Sequence, residues 1–325
     1  MVEPVRESVK QVDPSRWLIG SLMLRRSSFA SDTATWKDDG DNSNYTLMDA
    51  PTPRPPTTPL PPNDPHLALV YDAGDSSAVW SIGHNAFCKV KLIVRGTTPE
   101  VATLEFLHSQ RTRGFEVPKI LHYVECGDRY YLFISKIPGR TLMQAWPNLN
   151  AYWREYYVKA IMEICKNLAD WKGHMLAGVD GKSVPEQYLI KDGAAKDYSP
   201  MNLQKACEEI GMDCSNFVFY HADLGPGNII VENDPKSGAI GIIDWETAGY
   251  FPRGWLDEHD GRHVGKLSSY ATVCWILDGQ KAAVKGIEGF GLRKISVPEG
   301  SRSEGKLRRL KEILNHELFE RDYHQ

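Results

Sequence analysis

The chain has 325 residues, 42% of them hydrophobic and 25% charged, with a formal net charge of -4. That length allows one large domain or two modest lobes, and the slight acidity leaves no basic footprint for nucleic acid. No apolar run approaches the ~20 residues that span a bilayer, and the charged N-terminus lacks the apolar stretch of a signal peptide. The six cysteines are scattered without a Cys-x-x-Cys pair, which reads as reduced thiols in a cytoplasmic protein.

Residues 1–66 are polar and end in the proline-dense run from Pro51 to Pro62. Proline removes backbone donors and favours extended chain, so this segment is expected to be a Pro-rich extended or partly disordered N-terminal arm. Order is expected from Leu67. Val79–Ile82 and Ala86–Ile93 read as strands joined by a short turn at Gly83-His84-Asn85. Thr98 and Pro99 suit the cap and first position of a helix whose Val101, Leu104 and Leu107 share one face. Ile120–Glu125 and Tyr130–Ser135 are strand-like, with Cys126-Gly127-Asp128-Arg129 as the turn. The order strand, strand, helix, strand, strand suits a small antiparallel sheet with a single helix packed against it.

Beyond Pro138-Gly139 the pattern turns helical. Tyr152, Tyr156, Ala160, Ile164, Leu168 and Trp171 form one stripe, with Trp153, Tyr157, Ile161 and Cys165 beside it, and the aromatics read as core. Lys306–Glu320 repeats the pattern with Leu307, Leu310, Leu314 and Leu318. Between these helices, Phe217–Tyr220 is a short apolar strand, and His221–Gly227 is a loop punctuated by Gly and Pro. Ile229–Val231 and Ala239–Ile243 are the arms of a hairpin around Asn-Asp-Pro-Lys-Ser-Gly. Such a hairpin brings Asn228, at the start of one arm, near Asp244, at the end of the other. Two oxygen donors at its mouth suit a hard cation such as magnesium. Asp223, five residues before Asn228, is free to face a substrate hydroxyl. Phosphoryl transfer needs this division of labour: metal on the phosphate oxygens, and a separate carboxylate on the attacking hydroxyl.

The combination His221-x-Asp223, a Gly/Pro loop, Asn228 opening an apolar strand, and Ile-Ile-Asp244-Trp-Glu246 resembles the aminoglycoside-phosphotransferase and choline-kinase-like family. The His-x-Asp-Leu-Gly-Pro-x-Asn form is similar to that of a group of fungal members. The resemblance spans roughly Ala78 to Trp255 and implies a two-lobed protein-kinase-like α+β fold. That fold has a small antiparallel-sheet lobe with one helix (residues 67–137) and a larger, mainly helical lobe (138–325). The first would bind nucleotide and the second would hold the catalytic and substrate-binding residues.

Carried over residue by residue, the resemblance implies Asp223 as catalytic base and Asn228 and Asp244 as Mg2+ ligands, with Glu246 as a further carboxylate beside the metal. ATP would be held by a strand lysine paired with a helix glutamate. Lys89 and Lys91 share the strand face, and Lys89 is preferred because it follows the apolar part of the strand; Glu100 matches the glutamate, whereas Glu105 reads as surface. Ser135 to Ile137 would offer backbone groups to adenine. His221 is expected to brace the loop, and Ala222 stands where the family often has glycine.

The absence of Gly-x-Gly-x-x-Gly around Gly83 and of Ala-Pro-Glu after Asp244, and Trp245 in place of Phe, argue against a protein kinase. The expected activity is therefore MgATP-dependent transfer to the hydroxyl of a small-molecule acceptor. The alternative is an inactive or repurposed member that binds a metabolite or nucleotide. His259 and His263 read as surface loop rather than a metal site, and the acidic Asp257, Glu258 and Asp260 read either as a solvated loop or as a face for a cationic substrate.

Overall fold

The computed structural model describes residues 3–29, 32–110, 114–186, 189–190, 197–209 and 211–253. The expected helix at Lys306–Glu320 and the loop of His259 and His263 lie outside them.

Two antiparallel sheets form the first half. Strands β1 (Val9–Asp13), β2 (Arg16–Ile19), β3 (Leu22–Ser27), β4 (Trp36–Asp38), β5 (Ser43–Asp49) and β6 (Thr58–Pro59) assemble in the order β4-β5-β3-β2-β1-β6. Strands β7 (Leu67–Asp72), β8 (Ser77–Ile82), β9 (Ala86–Leu92), β10 (Ile120–Cys126) and β11 (Arg129–Ser135) follow in the order β10-β11-β9-β8-β7. Helix α1 (Glu100–Ser109) connects β9 to β10.

The first sheet corrects the expectation for residues 1–66. Only the proline run is extended and largely exposed, and it returns along β1 as β6. The rest folds because the second sheet has two apolar faces and α1 covers just one. In β8 and β9 burial alternates, and Ala78, Trp80, Ile82, Ala86, Cys88 and Val90 point away from α1. They pack with Tyr131 and Phe133 against Val9, Trp17, Ile19, Leu22, Leu24 and Tyr45. Central β11 is buried from Arg129 to Ile134, because Tyr130, Leu132 and Ile134 enter the other core with Val101, Leu104 and Leu107. Arg129, 6% exposed, fastens the chain start by donating to Ser8 Oγ (2.9 Å) and Glu3 O (2.7 Å).

Gly83, between β8 and β9, has φ +52, and a Cβ there would collide with the Asp38 carboxylate of β4. Asp38 in turn accepts the His84 N–H at 2.6 Å. The hairpin turn is thereby clamped to the first sheet.

The second half holds α2 (Leu142–Ala145), α3 (Ala151–Leu168) and α4 (Pro200–Glu209), with two three-stranded sheets. One contains β12 (Arg140–Thr141), β15 (Ile229–Val231) and β16 (Ile240–Ile242) in the order β12-β15-β16. The other contains β13 (Lys172–Gly173), β14 (Phe217–Tyr220) and β17 (Gly249–Pro252) in the order β13-β14-β17. Among the described residues this half is thus mixed, where a mainly helical lobe was expected. Short strands were needed to carry the loop between β14 and β15 on a hydrogen-bonded frame.

Helix α3 is capped by Asn150 Oδ1, which accepts the Trp153 N–H at 3.0 Å. It buries Tyr157, Ile161, Ile164 and Leu168, so the core face is rotated from the stripe that begins at Tyr152, itself 67% exposed. No helix among the described residues is long and apolar enough to cross a membrane.

Candidate active site

The site is built where α1, β9 and the end of β16 meet. In β9, alternation turns Lys89 and Lys91 to the face opposite Cys88 and Val90. Helix α1 begins at Glu100, with Pro99 as its flanking residue; Thr98 does not cap it but donates through Oγ1 to Asp180 Oδ1 at 2.5 Å. Glu100 is 1% exposed and faces β9. Lys89 Nζ lies 2.6 Å from Glu100 Oε2 and 2.6 Å from Asp244 Oδ1. The second Glu100 oxygen, Oε1, accepts the Trp245 N–H at 3.1 Å. One helix carboxylate therefore holds both the strand lysine and the backbone just after Asp244. Lys91 pairs instead with Glu246 at 2.8 Å, so both β9 lysines meet acids of the Asp244-Trp-Glu246 run.

Asp244 has φ +66, a left-handed conformation unusual for a side chain larger than glycine. Fixed surroundings sustain it. Trp245 is fully buried, donates through Nε1 to Ile242 O (2.9 Å), stacks on Phe115, and lies 4.5 Å edge-on from the His221 ring. His221 Nε2 is 2.8 Å from Ile243 O, tying the loop after β14 to the residue before Asp244. Ala222 also takes a left-handed φ of +49, so its position does use the conformation that glycine would enter freely.

The loop itself is stitched by its backbone. Asp223 N donates to His221 O, Gly225 N to Asp223 O (2.9 Å) and Asn228 N to Gly225 O (2.9 Å). Asn228 Nδ2 donates to Asp223 O at 2.8 Å and reaches Asp223 Oδ2 at 3.4 Å. Antiparallel pairing of Ile229 with Ile242 then sets Asn228 beside Asp244, and Ile243 N donates to Asn228 O at 3.0 Å. The Asp223 side chain is exposed.

Burial favours a neutral Lys89, but the carboxylates of Asp244, Glu100 and Glu246 outweigh it and hold the ammonium well above the ordinary lysine range. Burial works against the Asp244 carboxylate too, and Lys89 overcomes it, leaving Asp244 below the usual value. One ammonium cannot offset two acids, and burial raises Glu100, the one without an exposed side chain. Burial also lowers His221, which keeps its imidazole neutral.

Glu100, Asp244 and Glu246 bring carboxylate oxygens within 4.8 Å of one another. Asp244 and the side-chain oxygen of Asn228, whose amide N is turned to Asp223, are the oxygen donors suited to a hard cation. The structure thus brings Lys89, Glu100 and Asp244 into contact and sets Asn228 and Asp223 alongside. It does not make Ser135 a free backbone donor: Ser135 N donates to Lys119 O at 2.9 Å, and Lys136 N to Asn85 O at 2.8 Å. Ile137 packs its side chain where a Cβ of Gly241 would stand. The Lys91–Glu246 pair was missed by sequence reasoning, although strand periodicity already put Lys91 on the face of Lys89.

Solved structures similar to this chain include a thermostable mutant of aminoglycoside phosphotransferase APH(4)-Ia in its apo form, at 16% identity over 58% of this chain and 69% of that one, with a TM-score of 0.39. The streptomycin-ATP-APH(2'')-IIa ternary complex matches at 15% identity over 57% and 67%, with a TM-score of 0.40. Aminoglycoside phosphotransferase APH(3'')-Id from Streptomyces rimosus ATCC10970 matches at 16% identity over 57% and 72%, with a TM-score of 0.37. No curated protein matches the sequence. The model of the phosphotransferase enzyme family matches residues 90–255, just over half of the 325 residues, from the last residues of β9, just past Lys89, through β17. The chain belongs to the phosphotransferase enzyme family.

Proposed function

We propose that this phosphotransferase moves the γ-phosphoryl group of MgATP to a hydroxyl of a small-molecule acceptor. Residues 67–137 would hold the nucleotide, and the catalytic residues would come from the chain beyond. The observation that carries the reading is the double ion pair of Lys89, at 2.6 Å to both Glu100 and Asp244, beside the Asp223–Asn228 loop. A lysine anchored on a buried glutamate presents its remaining donor to phosphate oxygens, and Glu100 fixes its direction. Asp244 and Asn228 would hold magnesium, which neutralises phosphate charge when bound. Asp223, exposed on its loop, would accept the acceptor's proton as the hydroxyl attacks phosphorus. His221 stays neutral and positions the loop through Ile243.

The test is calorimetric titration with nucleotide, with and without Mg2+, followed by a screen of hydroxylated metabolites for nucleotide consumption. Magnesium-dependent binding and phosphorylated product are expected. Binding without turnover on any acceptor would favour a repurposed member, and no binding of any nucleoside triphosphate would refute the reading.

A further inference from the structure

A second group of metal-ligating side chains lies away from the candidate active site, where the N-terminal sheet meets the turn between β8 and β9. Asp38 ends β4, Asp41 lies in the turn that leads to β5, and His84 lies in the β8–β9 turn. One donor atom from each falls within 4.8 Å of the other two. The other such cluster among the described residues, Glu100, Asp244 and Glu246, offers oxygen alone and is filled by Lys89 and Lys91. Here an imidazole joins two carboxylates.

A Cβ on Gly40 would collide with the His84 ring, so the bare glycine lets the ring seat against the β4–β5 turn. Seated there, His84 Nδ1 lies 3.2 Å from Asp38 Oδ1. Two donors held at about 2.0–2.1 Å from one ion, at tetrahedral or octahedral angles, stand roughly 2.9–3.4 Å apart, so one ion can bridge this pair. The Asp38 side chain is 0% exposed, and among the described residues its ion-pair partner is the His84 ring alone. Buried charges are paired or coordinate metals, and a neutral imidazole does not balance a carboxylate. Asp41 Oδ2 accepts from Arg26 at 2.7 and 3.2 Å, and its Oδ1 accepts the Ser43 N–H at 3.1 Å and the Ser43 hydroxyl, which can turn away. Tyr45 is an independent sign of a missing ligand. Its Oη is buried and has no hydrogen-bond partner among the described residues, and burial pushes the phenol up to about 12, so the O–H keeps its proton. A Cβ on Gly83 would come within 3.0 Å of that oxygen and closer still to Asp38 Oδ2, which sets the unused O–H at the edge of the cluster.

We propose that Asp38, Asp41 and His84 form a structural site for zinc, which ties the β8–β9 turn to the N-terminal sheet. An imidazole nitrogen with carboxylate oxygens suits zinc, whereas magnesium and calcium take oxygen donors. Three protein donors leave a fourth position for water. The Tyr45 O–H is placed to hydrogen-bond the Asp38 carboxylate or that water, the kind of outer contact that orients a metal ligand. All three ligands precede residue 90, where the match to the phosphotransferase family begins, so the site stands apart from the phosphoryl-transfer chemistry.

The experiment strips the full-length protein with a chelator and titrates it calorimetrically with Zn2+ in millimolar Mg2+, beside His84→Ala, Asp41→Asn and Asp244→Asn. Wild type and Asp244→Asn are expected to bind one equivalent of zinc that magnesium does not displace. His84→Ala and Asp41→Asn should each lose that equivalent or bind it at least about 100-fold more weakly, since even outer-contact losses cost 10–100-fold. Zinc should raise the melting temperature of wild type and leave that of His84→Ala unmoved. The His84 side chain is 63% exposed, so its removal is expected to leave the fold intact, which metal-free melting curves establish. Asp41→Asn carries the same test should His84→Ala fail to fold. No zinc binding by wild type, zinc bound equally by wild type and both ligand variants, or an equivalent lost in Asp244→Asn would each overturn the assignment.

Discussion

Replacing Lys89 with methionine keeps the length of the side chain and removes the charge shared by Glu100 and Asp244. Asp244 has 36% of its side chain exposed and can turn to water, but the Glu100 side chain has no exposure at all. The cost of stranding Glu100 has a ceiling, because a carboxyl can take a proton. From its ordinary value of 4.5, neutralising it at pH 7 costs about 3.4 kcal/mol. The substitution also removes a buried ammonium with its own desolvation penalty, so the expected net loss is about 2–3 kcal/mol at pH 7.

The pH dependence has a definite sign. In the variant the folded Glu100 carboxyl lies further above its unfolded value, so the folded state binds the extra proton and stability falls as pH rises through that range. At pH 5 the ceiling drops to about 0.7 kcal/mol, and the difference from wild type should nearly vanish. Urea unfolding followed by tryptophan fluorescence at pH 7, 6 and 5 measures this. A loss that is equal at all three pH values, or absent at pH 7, would show that Lys89 does not compensate Glu100.

Other outcomes follow from the same geometry. Asp223→Asn is expected to bind Mg-nucleotide but to lose roughly 10²–10⁴-fold in turnover, whereas Asp244→Asn should lose magnesium-dependent nucleotide binding itself; titration beside single-turnover assays separates the two. Gly83→Ala places a methyl on the fully buried Asp38 carboxylate at a left-handed φ. It should cost at least about 2 kcal/mol, read as a lowered melting temperature. Removing residues 1–60 uncovers Trp80, Ile82, Cys88, Val90, Tyr131 and Phe133. At about 1.5–3 kcal/mol for each large side chain, that loss approaches the whole stability of a domain. Aggregated or unfolded product is expected by size-exclusion chromatography, and a folded, monomeric remainder would refute the packing account.

Local chemistry carried much of this protein in its sequence. The run from Phe217 to Glu246 predicts its own strand, loop and hairpin, because Gly, Pro and Asn-Asp turns interrupt apolar triplets over short distances. Antiparallel pairing of Ile229 with Ile242 then necessarily sets Asn228 near Asp244. The strand period likewise put Lys89 and Lys91 on one face, while the pairing of Lys89 with Glu100 was legible only through the resemblance to the family.

Only the tertiary structure decided what meets that face and its opposite. Strand alternation in β1–β5 is interrupted by charged and polar residues, so residues 1–66 read as an arm until the uncovered side of β8, β9 and β11 supplied an apolar partner for Trp17, Ile19, Leu24 and Tyr45. Long-range pairing also engaged the backbone donors of Ser135 and Lys136 and brought the Lys136 ammonium over Phe87. Sequence spacing reports which side of a strand a residue takes, but not which distant segment competes for its hydrogen bonds. That choice is made by burial, which penalises every polar group left without a partner.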